Sequence, residues 1–153
     1  MGRLRVSIDI DAAPAEVWAV LSDVGSHVEW MEDAVAIRFT SDRTSGVGTE
    51  FDCDTRIGPF SLVDHMEITE WVPERAMGVR HVGLVTGSGV MTLEPTERGQ
   101  GSGFTGTRFA WTERLIFPWW MGGPLGATAS LPVLDRVWRR SLENLKAIVE
   151  ERS

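Results

Sequence analysis

The chain has 153 residues and carries 22 acidic against 15 basic side chains, which gives a formal net charge of −7. This length fits one domain with a sizeable core, and the acidic balance argues against nucleic acids and anionic membranes as partners, because both attract basic surfaces. The single cysteine and the three histidines allow no intrachain disulfide and show no zinc-type spacing, so we expect a cytoplasmic protein without a metal or other cofactor.

The N-terminal segment predicts one strand followed by two short helices. Apolar and polar residues alternate from residue 4 to residue 10, which is typical of a half-buried strand, and no apolar signal core precedes it. Pro14 suits the first position of a helix that packs two apolar turns inward. Ser26 followed by Glu29 has the form of a capping box and predicts a second helix, with His27 beside the cap.

Between residues 33 and 115 the pattern changes to a period of two, and turn residues recur at intervals typical of an antiparallel meander. We predict six strands and no helix in this stretch. The strand over residues 60–71 is the least clear. We assign Asp64 and Met66 to its inner face together with the apolar residues of the same parity, and Trp71 to its outer face.

Two of these strands have features of their own. Alternation from Val35 to Phe39 predicts the first strand of the meander. We expect the sixth strand of the chain to end at Pro95, before a loop over residues 96–103. The glycines near Gly89 are too irregular for a phosphate loop, and we interpret them as turn or close-approach positions.

Residues 131–151 predict a long amphipathic helix, because their apolar members recur at steps of three and four. Ser130 is placed to cap it, and Pro132 is tolerated in a first turn. The preceding stretch, residues 115–134, has no charged residue and is long enough to cross a bilayer. Its prolines and glycines would break a lipid-facing helix, so we expect a mostly covered loop and no stable membrane insertion.

The predicted order is a strand, two short helices, six strands and a long helix. Such segregation indicates an α+β fold in which an antiparallel sheet is covered on one face. We predict one domain over residues 1–153, with the sheet curled around the C-terminal helix.

Several local motifs agree with this order over nearly the whole chain. They are Ile10 to Trp18 followed by Leu21-Ser22-Asp23, then Trp30, Glu70 to Arg75, Trp111-Thr112-Glu113, and Ser141 to Lys146. In these motifs the chain resembles the START-like superfamily, also described as Bet v 1-like or helix-grip, and in particular its polyketide cyclase/dehydratase-type (SRPBCC) branch.

The resemblance implies a curved antiparallel seven-stranded sheet wrapped around the long helix, with two short helices after strand one. It also implies a deep, mainly apolar cavity inside. The superfamily includes lipid carriers, hormone receptors, cyclases, coenzyme Q-binding proteins and chaperone activators, so the fold does not settle the function.

The parity of the strands predicts a ligand site, because a few polar groups in an apolar cavity fix the orientation of a ligand. We expect a small hydrophobic or aromatic molecule, polyketide-like or lipid-like, to bind there. The alternative is a structural role, in which these polar groups hydrogen-bond to one another in the core, and we favour this interpretation for Asp64. The expected ligand-binding residues are Trp30, Cys53, Asp64, Met66, His81, Met91, Trp111, Glu113, Trp119, Trp120, Leu134 and Trp138.

Two further functions remain open. As a cyclase or dehydratase, the protein would use His81 as general acid or base, with Glu113 or Asp64 orienting it or supplying a proton. As a partner-binding module, it would act through its surface. His27 and His65 are expected near the surface or a cap, and Cys53 is expected to be a small buried hydrophobe.

The aromatic residues divide into wall and surface candidates. Trp30 and Trp111 are predicted to line the cavity wall. Trp119 and Trp120 fall in the connection before the final helix, where the resemblance implies a cavity entrance, and we interpret them as a gate. The competing interpretation is the contact surface of a homodimer, since exposed aromatics are enriched at interfaces, and a lipid-surface contact ranks third.

Overall fold

The computed structural model describes residues 2–98 and 104–152. It contains one antiparallel sheet with the strand order β1-β7-β6-β5-β4-β3-β2. The strands are β1 (Gly2–Ile10), β2 (Ala34–Phe39), β3 (Glu50–Ile57), β4 (Phe60–Val72), β5 (Ala76–Val82), β6 (Thr86–Arg98) and β7 (Phe104–Ile116). The helices are α1 (Pro14–Leu21), α2 (Gly123–Arg152) and two short 3-10 helices, Val24–Glu29 and Trp119–Met121. The predicted α+β helix-grip architecture is confirmed.

Helix α2 lies along the inner face of the sheet. Its buried side chains recur at helical spacing and meet the core formed by the strands and α1. At its C-terminal end it is tied to the end of β1, because Lys146 Nζ donates to the carbonyl of Asp9 (3.0 Å) and Asp11 N donates to Glu150 Oε2 (2.9 Å). The side chains that α2 buries beyond its second turn are Leu134, Trp138, Ser141, Leu142, Leu145 and Val149.

The start of α2 differs from the prediction, since the helix begins at Gly123 and not near residue 131. Ser130 therefore does not cap it but lies inside it, with its hydroxyl donating to the carbonyl of Ala127 (2.7 Å). Pro132 also lies inside the helix, where one backbone hydrogen bond is lost. The small residues of this stretch carry no pattern that distinguishes an extra helical turn from a loop.

The expectation of covered side chains before residue 134 is wrong. Trp119 is 87% exposed, Trp120 59% and Leu125 84%. Within the first eight residues of α2 only Gly123 and Ala127 are buried, so this end of the helix projects into solvent. We call residues 116–133 the exposed apolar segment. No helix among the described residues combines the length and apolarity that crossing a membrane requires.

Two bulges in the sheet change the predicted facing of side chains. A bulge between Ala34 and Ala36 interrupts the alternation of β2 and leaves Val35 54% exposed. A second bulge, between Ile68 and Glu70, returns Trp71 to the packed face of β4, where it meets Trp18 edge to face at 5.1 Å. The assignment of Trp71 to the outer face is therefore wrong.

Strand β6 is longer than predicted, because it continues past Pro95 to Arg98 and is paired with β7 throughout. Strand β5 begins at Ala76, opposite Thr92, so Pro95 has a neighbouring strand on one side only, and a missing N–H is tolerated at such an edge. Residues 99–103 of the predicted loop lie outside the described residues.

The second short helix is present as a 3-10 helix that begins at Val24, two residues before the predicted cap. The capping box is wrong, because the Ser26 hydroxyl donates to the carbonyl of Asp23 (2.7 Å). Val24 and His27 are three residues apart, which places them on the same side of a 3-10 helix, and both are buried.

Candidate functional site

A cavity lies between the inner faces of β2 to β7 and the 3-10 helix Val24–Glu29. The volume of this cavity is about 80 Å³. The apolar part of the wall is formed by Val24, Met31, Ala34, Ile37, Phe51, Met66, Met77, Val79, Met91 and Trp111. Its polar groups and its cysteine are His27, Asp33, Cys53, Thr55, Asp64, His81 and Glu113, and Gly89 completes it.

Asp64, His81 and Glu113 form one hydrogen-bonded network, which we call the carboxylate–histidine network. His81 Nδ1 contacts Asp64 Oδ2 at 2.9 Å, and His81 Nε2 contacts Glu113 Oε2 at 2.8 Å. Trp111 Nε1 donates to the other oxygen of Glu113, Oε1, at 3.1 Å. His81 is 5% exposed and Glu113 4%. Burial makes these partners necessary, since an unpaired charge would be strongly disfavoured here.

Gly89 allows this network to form. His81 lies on β5 and Glu113 on β7, so strand β6 separates them, and Gly89 is paired directly opposite Glu113. A Cβ atom on residue 89 would lie 2.5 Å from Glu113 Oε1. Because glycine has no side chain, the Glu113 carboxylate can cross β6 and reach the imidazole.

His81 is a cation at neutral pH. Burial lowers its pKa, but the hydrogen bonds and charges of Asp64 and Glu113 outweigh burial and raise the pKa of His81 to about 10. Both ring N–H groups are then donated to carboxylates. Chemically, the network holds one imidazolium between two carboxylates in an orientation that packing fixes.

Asp33 lies in the connection between the 3-10 helix and β2, and helix α2 holds it in place. Trp138 Nε1 donates to Asp33 Oδ2 at 3.3 Å. Just before it, Glu32 N donates to Ser141 Oγ at 3.0 Å, and Asn144 Nδ2 donates to the carbonyl of Trp30 at 3.2 Å. Burial, reinforced by nearby carboxylates, raises the pKa of Asp33 to about 6.

His27 was expected near the surface or a cap, and the structure overturns this, since it is 4% exposed and lines the cavity. Its Nε2 lies 2.7 Å from the carbonyl of Leu21. Burial lowers the pKa of His27 to about 4, so the ring is neutral at pH 7 and Nε2 carries the proton. Its Nδ1 is then an acceptor, with no hydrogen-bond partner among the described residues.

Cys53 lines the cavity as a buried thiol. Burial raises its pKa to about 11, which keeps it protonated and unreactive at neutral pH. The hydroxyl of Thr55 donates to the carbonyl of Cys53 at 3.4 Å. Within residues 2–98 and 104–152, no three His, Cys, Asp or Glu side chains are arranged to hold a metal ion.

The sequence-predicted site residues fall into three groups. The cavity wall holds Cys53, Asp64, Met66, His81, Met91, Trp111 and Glu113. A second layer behind it holds Trp30, Leu134 and Trp138, which are buried but outside the lining. Trp119 and Trp120 lie on the surface, away from the lining.

Two of the three residues in the second layer are tryptophans that pack against Trp111. Trp138 stacks on Trp111 with ring centroids 4.5 Å apart and an interplanar angle of 18°. Trp30 meets Trp111 edge to face at 6.3 Å, and its buried Nε1 has no partner among the described atoms. Of the described residues that line the cavity, none belongs to α2, so this helix shapes the site through Trp138.

Sequence reasoning missed Asp33 and misplaced His27. Both lie outside the strands, so neither has a parity that points inward. An aspartate between a helix and a strand is an ordinary turn residue. Only the hydrogen bonds from α2, whose partners lie more than a hundred positions later, make Asp33 part of the cavity.

Comparison with known proteins identifies the family and the fold of the chain. The model of the family described as "Polyketide cyclase / dehydrase and lipid transport" matches residues 1–150. A search of curated proteins found no match.

Solved structures with the same fold come from several bacteria. A protein of Thermus thermophilus has a TM-score of 0.76 at 17% identity, covering 99% of both chains. A START superfamily protein of Mycobacterium smegmatis has a TM-score of 0.72 at 11% identity, covering 100% of both. A protein of Mesorhizobium loti has a TM-score of 0.71 at 16% identity, covering 99% of this chain and 98% of the other. At these identities the likeness shows the shared fold.

Proposed function

The chain belongs to the polyketide cyclase / dehydrase and lipid transport family, and we propose that it binds a small hydrophobic or aromatic molecule in its internal cavity. The observation that supports this is the composition of the wall, in which apolar side chains outnumber the polar ones and three of the polar ones form the carboxylate–histidine network. Such a wall binds the body of a ligand by apolar burial and fixes its orientation through a few polar contacts.

The size of the cavity favours a compact ligand. A cavity that holds one water molecule has a volume of about 10–15 Å³, so a cavity of 80 Å³ holds several water molecules or one small organic molecule. A single aromatic ring with a short substituent matches this space. A long acyl chain would require the wall to open.

The geometry favours binding over acid–base catalysis by His81. A general base needs a free lone pair, and both ring nitrogens of His81 contact carboxylates. Glu113 is equally engaged, because its oxygens accept from His81 and Trp111. As a general acid, an imidazolium with a pKa of about 10 releases its proton poorly at neutral pH. The network is better suited to a fixed structural role in the cavity wall than to the transfer of protons.

Binding can be tested with calorimetry and NMR, using 2-phenylethanol and 1-naphthol as probes of cavity size. The variant Val79→Trp fills the cavity from β5, whereas Val82→Trp places the same ring on an exposed position of that strand. We expect the wild type and Val82→Trp to bind and Val79→Trp to lose binding. Equal binding by all three would place the probe elsewhere, and failure of every probe on the folded wild type would refute the proposal.

The exposed apolar segment supports a second, separate role in self-association. Trp119 and Trp120 point to solvent instead of covering the cavity, and no charged residue occurs from Leu115 to Leu134. We propose this segment as the contact between two copies of the chain in preference to a gate.

The single cysteine and the high pKa of its thiol are compatible with the cytoplasmic location that we propose.

A further inference from the structure

The polar side chains of the cavity are unequal in charge. Three carboxylates line it, from Asp33, Asp64 and Glu113, against one cation, His81. Neither lysine nor arginine occurs among the described residues of the wall. The cavity therefore has an excess of negative charge and of hydrogen-bond acceptors, in surroundings where an unmatched charge is costly.

Two of the acceptors retain capacity for a ligand. His27, buried to all but 4%, commits Nε2 to Leu21 and leaves Nδ1 without a partner among the described residues. Asp33 accepts a long hydrogen bond, 3.3 Å from Trp138 Nε1, and a second one from its own backbone N–H, although a carboxylate can accept about four. By contrast, Asp64 and Glu113 are occupied by His81 and Trp111.

The remainder of the wall suits an apolar body. Met66, Met77 and Met91 are adaptable apolar side chains, and Trp111 is held rigid by the stacked Trp138. The indole ring also attracts cations through the electron density of its face. An apolar wall with acceptors and no free cation matches a ligand with an apolar body and a donor group.

We propose that the ligand of this cavity is a compact aromatic amine, bound as the ammonium ion, with its N–H groups directed to Asp33 and His27. This inference rests on the proposed binding function and adds the chemical class of the ligand. An ammonium carries three donors and no acceptor, so it satisfies acceptors that a neutral apolar molecule would leave unpaired. A carboxylate ligand would meet like charge and is excluded.

Three probes of one size separate these possibilities: 2-phenylethylamine, its neutral isostere propylbenzene, and phenylacetate. Their dissociation constants should be measured at pH 7 by calorimetry on the full chain. Charge-assisted hydrogen bonds predict that the amine binds about tenfold to a hundredfold tighter than propylbenzene. Phenylacetate should bind more weakly than both.

The variant Asp33→Asn supplies the specific control. It should reduce the affinity for the amine to within a few-fold of the affinity for propylbenzene measured on the same variant. Asp42→Asn removes an exposed carboxylate and should change neither. If propylbenzene binds as tightly as the amine, or if Asp33→Asn keeps the amine's advantage, the amine assignment is wrong while the binding function stands. If none of the probes binds, both fall.

Discussion

Replacing Asp33 with asparagine should make the protein more stable at neutral pH. The pKa of Asp33 is raised from the usual 3.8 to about 6, first because of burial. A raised pKa means that the folded chain holds the proton more tightly than the unfolded chain. The stability that this bound proton contributes is fully present below pH 3.8 and is lost as the pH rises through 6, because the half-buried carboxylate must then ionise.

The size of the effect follows from this shift. Each pKa unit corresponds to about 1.36 kcal/mol, so ionised Asp33 lowers the free energy of unfolding by about 3 kcal/mol at pH 7.5. Asparagine stays neutral at every pH, and its side-chain oxygen can still accept the hydrogen bond from Trp138. The variant should thus gain up to about 3 kcal/mol at pH 7.5 and well under 1 kcal/mol at pH 4.

The assay is urea unfolding, followed by tryptophan fluorescence, at half-unit steps from pH 4 to pH 8. Asp42→Asn, at an exposed position of the turn before β3, is the matched control and should follow the wild type throughout. If Asp33→Asn is equally or less stable than the wild type at pH 7.5, ionised Asp33 does not lower the free energy of unfolding. The hypothesis that Asp33 lowers stability while it provides a ligand contact would then be refuted.

The carboxylate–histidine network and the exposed apolar segment give three more predictions. Because the pKa of His81 is raised, the stability that protonated His81 contributes is complete below pH 6.5 and is lost as the pH rises through about 10. The free energy of unfolding should therefore fall by about 1.4 kcal/mol per pH unit between these values. His81→Gln should abolish that slope, measured by urea unfolding at each pH. Gly89→Ala should cost about 1–3 kcal/mol and lower the pKa of His81, measured by NMR titration of its ring protons, because the new methyl group displaces the Glu113 carboxylate; an unchanged titration would contradict this placement. Light scattering should show that the wild type is a dimer and that the double variant Trp119→Ala/Trp120→Ala is a monomer that still binds the probes. If the wild type is already a monomer and the double variant loses probe binding, the two tryptophans form a gate instead.

The strands were predictable because their side chains obey a simple period. Alternation placed His81 and Glu113 on the inner face of the sheet, and both are buried there. Bulges defeat this reasoning, since one extra residue reverses the facing of everything after it, as happens at Trp71. No pattern of residue types near Ile68 signals that reversal.

The helical side of the site was less accessible to sequence reasoning. His27 depends on where a 3-10 helix starts, and a shift of two residues turns an expected cap neighbour into a buried ring. Asp33 depends on Trp138 and Ser141 of α2, contacts that local patterns cannot reveal. Gly89 did carry a signal as a close-approach position, but its partner Glu113 could be identified only from the register.

The hydrogen bonds from α2 to residues 30–33 bear on the order of folding. They join positions 105 to 114 residues apart, so the cavity wall can be completed only after α2 has docked. Contacts of such long range slow the folding of a domain, because the entropy of closing a long loop is lost before they form. Helix α2 also supplies Leu134, Trp138, Leu142, Leu145 and Val149 to the core. The docking of this one helix therefore completes the core and fixes Asp33 in the cavity wall together.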